Sequence, residues 1–170
     1  MEVKNFFRKI FFAMTVCLSV ASADTSTTVP EEILGQWKYV GYIYDEIVYP
    51  TPNPGLFLTF TFLADNNVRL YWKRADEDYF CERSAKYIID GDKLYQEVNW
   101  VNPENHFTCG SDPDMQLGRK TENRFEIKEN QLLLYLELSG KPFIYVLERI
   151  SKSANDITNQ PAWLQSNFIL

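Results

Sequence analysis

From Gly35 onward the chain alternates apolar and polar residues with a period of two, the pattern of strands that bury one face. Gly35 to Tyr49 reads as one long strand, with Trp37, Tyr39, Gly41 and Ile43 on one side and Lys38, Val40, Tyr42 and Tyr44 on the other. Pro50-Thr51-Pro52-Asn53-Pro54-Gly55 cannot pair regularly, because proline lacks the backbone donor, and is expected to be a loop. Leu56 to Leu63 and Val68 to Arg74 form a hairpin about Ala64-Asp65-Asn66-Asn67, where Asp and Asn tolerate a left-handed backbone. Tyr79 to Ile89 is a fourth strand and Lys93 to Val101 a fifth, joined by Asp90-Gly91-Asp92. After the irregular stretch from Asn102 to Gly118 come Asn123 to Lys128, Gln131 to Leu138 and Phe143 to Ile150. The inward face is expected to carry Leu58, Phe60, Phe62, Val68, Leu70, Trp72, Leu94, Val98 and Trp100, since a one-residue slip would expose each strand's apolar phase.

Eight consecutive strands with short links predict an all-β, antiparallel up-and-down meander that closes into a barrel and removes its own edges. An open sandwich is the alternative. Before the first strand, Pro30-Glu31-Glu32-Ile33-Leu34 suits a single helical turn that ends at Gly35. The last segment, 151–170, is polar and then carries Trp163, Leu164, Phe168 and Ile169. These are expected to pack on the barrel, with a short helix around Ala162 to Phe168.

The N-terminus has its own pattern. Lys4, Arg8 and Lys9 precede an apolar run from Ile10 to Val20, followed by Ala21-Ser22-Ala23. This reads as a secretory signal over 1–23, cleaved after Ala23, and leaves a barrel domain over 24–150. The run is too short for a membrane span. Cys17 is read as part of it and not as a lipidated cysteine, because bulky Val16 precedes it. The exported chain, periplasmic or extracellular, then keeps Cys81 and Cys109, which are expected to form a disulfide. The formal charge of −6 argues against nucleic acid and against anionic membranes as partners. The 12 Phe, 10 Tyr and 4 Trp favour strands over disorder.

Gly35-Gln36-Trp37, opening the first strand after a helical turn, resembles the Gly-x-Trp signature of lipocalins and the wider calycin group. The resemblance implies a barrel whose base is closed by the small helix, with the Trp beneath it. It also implies a basic residue from the last strand covering that Trp, and Arg149 stands in that place. Glu129-Asn130 occupies the position of the family's Thr-Asp-Tyr motif. A guanidinium on an indole is worth about 0.5–2 kcal/mol and would tie the first strand to the last.

Catalytic chemistry finds little support. His106, the sole histidine, has no nucleophile elbow near it, and the disulfide uses Cys109, its nearest thiol. Asp112-Pro113-Asp114, with Asn102, Glu104 and Asn105, offers oxygen ligands for calcium but lacks EF-hand spacing. Turn formation is the simpler role. Glu82, Glu97 and Glu137 are expected on the solvated outer face. No metal or cofactor is implied.

On the fourth strand, Tyr79, Cys81, Arg83, Ala85, Tyr87 and Ile89 share a face. Arg83 is therefore expected to point inward, where a cation needs an anion, internal or bound. These considerations favour a binding module for a small apolar or amphipathic, fatty-acid-like ligand, contacted by Arg83, Tyr87, Trp72 and Trp100. A barrel filled by its own side chains, acting structurally or on an unknown protein partner, is the rival reading. An enzyme working at the barrel mouth is the third.

Overall fold

The computed structural model describes residues 29–138 and 140–150. The leader expected over 1–23, with Cys17, and the expected packing of 151–170 lie outside the described residues. Nine strands form: β1 (Gly35–Tyr44), β2 (Ile47–Pro50), β3 (Leu56–Phe62), β4 (Asn67–Arg74), β5 (Phe80–Asp90), β6 (Lys93–Val101), β7 (Lys120–Lys128), β8 (Gln131–Leu138) and β9 (Lys141–Arg149). All pairings are antiparallel. β1 and β3 to β9 follow one another in meander order, and β9 returns to β1, so eight strands close into a barrel. Closure rules out the open sandwich.

The expected single strand from Gly35 to Tyr49 is instead a hairpin. Asp45 and Glu46 both take positive φ, 52° and 64°, and turn β2 back onto the upper half of β1, pairing Tyr44 with Ile47 and Gly41 with Pro50. This is the geometry of a tight two-residue turn, here without the usual glycine. Gly41 permits it, because a Cβ there would press on the Tyr49 carbonyl oxygen.

Two bulges change the phase of the strands. Against β9, Tyr39 pairs with Leu147 and Gly41 with Val146, so Val40 is an extra residue. Beyond it Tyr42 and Tyr44 join Tyr39 on the inner face, opposite Tyr145 and Phe143, while Ile43 turns outward. Against β5, Trp100 pairs with Ser84 and Val98 with Ala85, so Asn99 is extra in β6. Trp100 therefore lies on the outer face, 40% exposed, with the Arg69 guanidinium 6.0 Å from its ring centre. Its expected inward position is corrected by that bulge: one inserted residue reverses the alternation beyond it. The other residues expected inside are there. Phe60, Phe62, Val68, Leu70, Leu94 and Val98 are buried, and Leu58 and Trp72 pack against them.

The base is closed as the Gly-x-Trp resemblance implies. A 3-10 turn at Glu31–Ile33 precedes β1, and the fully buried Trp37 donates from Nε1 to the Ile33 carbonyl at 2.7 Å. The Arg149 guanidinium stacks 4.0 Å from the Trp37 ring centre. It also donates to the Leu34 carbonyl at 2.5 Å and to the Glu32 carbonyl. Gly35 holds φ at +111°, and a side chain there would meet Arg149 Nη1. Glycine is needed for both reasons.

Candidate functional site

Buried side chains occupy the lower half of the barrel among the described residues. Tyr87, fully buried, donates to the Leu63 carbonyl at 2.9 Å and meets Phe62 edge to face. The upper half is divided. Over the β5–β6 side lies the segment between β6 and β7, wound into 3-10 turns at Phe107–Ser111 and Pro113–Met115. The Cys81–Cys109 disulfide fastens it to β5, with Cα atoms 5.7 Å apart. Met115 inserts into the core. Outside the barrel, Glu82 is 3% exposed because the same segment covers it: Asn102 Nδ2 donates to its carboxylate at 2.7 Å, and Asn105 pairs with its backbone on both sides. The expectation of a solvated Glu82 fails for this reason, while Glu97 and Glu137 are exposed.

Arg83 points inward, as its strand phase implies, and is 4% exposed. Its Nε donates to the Asp114 carbonyl at 3.1 Å and Nη1 to Gln96 Oε1 at 3.3 Å. Burial lowers its pKa to about 10, against the opposing pull of the Asp114 and Asp112 charges. The acceptors it faces are thus internal, and it latches the covering segment to the wall. Trp72 lies beneath Arg74, whose guanidinium is 5.4 Å from its ring centre.

The other side of the mouth is open. A recess of about 370 Å³ is lined by Tyr39, Tyr42, Tyr44, Pro52, Leu56, Leu58, Leu138, Phe143 and Tyr145. None of Arg83, Tyr87, Trp72 and Trp100 is among these lining residues. The rings are set at an angle to one another: Tyr39 to Tyr145 at 4.8 Å and 55°, Tyr42 to Phe143 at 5.0 Å and 36°, Phe143 to Tyr145 at 5.5 Å and 71°. Burial raises the Tyr39 phenol to about 12, and the neighbouring Tyr145 and Tyr42 add to this. Tyr145 is raised as well, first by burial and then by the Asp114 and Asp112 carboxylates of the covering segment. Sequence periodicity alone missed this site, because the Val40 bulge inverts the phase of two of its tyrosines. The one available signal was the density of aromatic residues in 39–49 and 143–145.

A closed eight-strand meander, a 3-10 turn under its base and a Trp–Arg lock between first and last strands are now in place. The fold is a lipocalin-like barrel. No family model matches the chain, and no curated protein does. Among solved structures it is similar to a lipocalin-like protein from Bacteroides uniformis ATCC 8492, at 15% identity over 70% of this chain and 99% of that one, TM-score 0.49. A second is an uncharacterized protein from Bacteroides eggerthii DSM 20697, at 14% identity over 69% and 98%, TM-score 0.44. A third is a point variant of the fluorescent protein UnaG, at 12% identity over 72% and 99%, TM-score 0.39. Among the described residues of the lipocalin-like barrel, no helix is long and apolar enough to cross a membrane.

Proposed function

We propose that this lipocalin-like barrel is an exported binding module that takes a small apolar or amphipathic molecule into the aromatic recess at its mouth. The observation that carries this reading is the recess itself: an opening of about 370 Å³ with five aromatic side chains among its lining. That is within the roughly 300–1,000 Å³ of small-molecule sites, which are mostly apolar with a few polar groups. The buried side chains of the lower barrel, Tyr87 and Phe62 among them, meet the rival reading halfway, while the recess lies beside Leu58 and Tyr39. Export is supported by the disulfide and by the leader-like N-terminus.

Titrating Nile red, a neutral polarity-sensitive dye, into delipidated protein tests the binding reading. Saturable one-to-one binding is expected. It should weaken at least tenfold in Phe143→Asp, which places a charge in the recess, and persist in Trp100→Ala, which alters the outer wall. Absence of saturable binding by the unaltered protein would overturn the reading. For export, N-terminal sequencing of protein recovered from its own host should begin at Asp24, and a chain still starting at Met1 would count against it.

A further inference from the structure

We infer that the outer wall formed by β8, β9 and the upper half of β1 is the docking site of this chain's own segment 151–170. The two strands at its centre break the alternation of the others. β8 runs Leu132-Leu133-Leu134-Tyr135-Leu136 and β9 runs Phe143-Ile144-Tyr145-Val146-Leu147. Both are apolar on both faces, the pattern of strands that are covered on both sides. The inner phase, Leu132, Leu134, Tyr145 and Leu147, packs in the core. The outer phase faces away from it. There Leu133 pairs with Val146, Tyr135 pairs with Ile144, and Ile43 of β1 pairs with Ile144 from the other side. Leu133 and Val146 are each only 7% exposed although they point out of the barrel. On β7 this apolar centre meets a polar border: the Tyr135 hydroxyl donates to Glu126 at 2.9 Å, and the Arg124 guanidinium lies 4.4 Å from the Tyr135 ring centre. An apolar centre inside a polar rim is the anatomy of an interface.

The path of the chain names the occupant. At the base of the wall a groove of about 650 Å³ is lined by polar residues alone: Lys128, Glu129, Asn130, Gln131 and Glu148. At the top a second groove, of about 360 Å³, includes Ile43, Pro142 and Ile144 in its lining. β9 ends beside the base groove, where the Arg149 N–H donates to the Asn130 carbonyl at 3.0 Å. The segment that follows has the same order of polarity as the wall. Residues 151–160 are mostly polar and match the base groove, while Trp163, Leu164, Phe168 and Ile169 match the apolar centre and the upper groove. The wall from Glu148 to Pro142 is roughly 20 Å long at about 3.3 Å per residue. The stretch 151–160 can span up to about 33 Å, so the segment can turn back at the base and set Trp163 over Val146 and Ile144. A second copy of the chain would have to clear the segment that emerges at the foot of this same wall.

Photo-crosslinking in the otherwise intact chain tests the docking, with p-benzoylphenylalanine in place of Trp163. Irradiation is expected to give a product of single-chain mass whose crosslinks map to 131–149 and 41–46. Crosslinks confined to the β3–β5 wall, crosslinks that join two copies, or none to the barrel would each overturn the proposal. Stability supplies a second measurement. Val146→Thr keeps the shape of the side chain but adds a hydroxyl, which costs stability only where the wall is covered. It should lower the melting temperature of the intact chain by about 3 °C or more and leave that of a chain ending at Ile150 nearly unchanged. Equal losses in the two backgrounds would overturn the docking. If the shortened chain does not fold, intact Trp163→Ala replaces it as the background, with the same pair of outcomes.

Discussion

Arg149 is the residue on which the base of the molecule converges. Its guanidinium covers the Trp37 ring and donates to two carbonyls of the turn that precedes β1. Trp37→Ala should destabilise by about 3–5 kcal/mol, the usual range for emptying a buried indole site. Arg149→Leu should cost less in that background than alone, with a coupling of about 1 kcal/mol or more in a double-mutant cycle followed by urea unfolding. Strict additivity would mean that the contact seen at 4.0 Å contributes nothing. The recess tyrosines make a separate prediction at high pH. The Tyr39 phenol is held neutral up to about 12 in the folded chain, against 10 in a free chain. Above pH 10 the unfolded state therefore loses a proton that the folded state keeps, and stability falls as pH rises from 10 through 12. Tyr87, also near 12, acts in the same direction, while Arg83, lowered to about 10, acts in the opposite one. Alkaline unfolding monitored by circular dichroism should be less steep in Tyr39→Phe.

At the scale of single elements, the extra residue Val40 puts Tyr42 and Tyr44 on the same face as Tyr39. Removing Val40, the extra residue, should leave a regular β1 in which Tyr39, Tyr42 and Tyr44 keep the inner face and their partners on β9. Such a variant should retain a β-type far-ultraviolet spectrum and Nile red binding; loss of binding with the fold intact would show that the recess needs the local bend of the bulge and not the phase of the tyrosines alone. The turn at Asp45 and Glu46 places a residue with a Cβ in left-handed space, at roughly 1–2 kcal/mol per position. Glu46→Gly should raise the melting temperature by a few degrees, corresponding to about 1 kcal/mol, as read by calorimetry. Much of the element plan was legible in the alternating pattern, because each strand without a bulge buries one face: Phe60 and Phe62, Val68 and Leu70, and Leu94 and Val98 lie where their period puts them. Gly35-x-Trp37 was legible too, through its resemblance to the lipocalin signature. What could not be read was any consequence of an inserted residue. A bulge leaves no compositional mark, so plain alternation puts Trp100 inside and sets Tyr42 on the face opposite Trp37. Neither was the burial of Glu82 legible, because the groups that cover it, Asn102 and Asn105, come from a loop 20 or more residues away.

The whole molecule is held at its mouth by one covalent link and at its base by the contact between β1 and β9. The Cys81–Cys109 link spans 28 residues, which corresponds to roughly 3–4 kcal/mol in the chain-entropy model. Reduction, or Cys109→Ala, should lower stability by about that amount and loosen hydrogen-exchange protection first in residues 102–118, leaving the Trp37 end protected. The pairing of β1 with β9 has a further consequence, in time rather than in space. Trp37 and its strand partner Arg149 belong to opposite ends of the barrel's sequence, and Arg149 reaches Leu34 across a separation of 115 residues. A ring that closes only when its last strand arrives cannot be finished during synthesis, and contacts so distant along the chain form slowly. The hairpins β3–β4 and β8–β9 are local and can form early, but the edge of β1 stays unpaired along part of its length until residue 149 has left the ribosome. Under the export proposed above that delay is useful: the strand order keeps the chain threadable until its last strand is made.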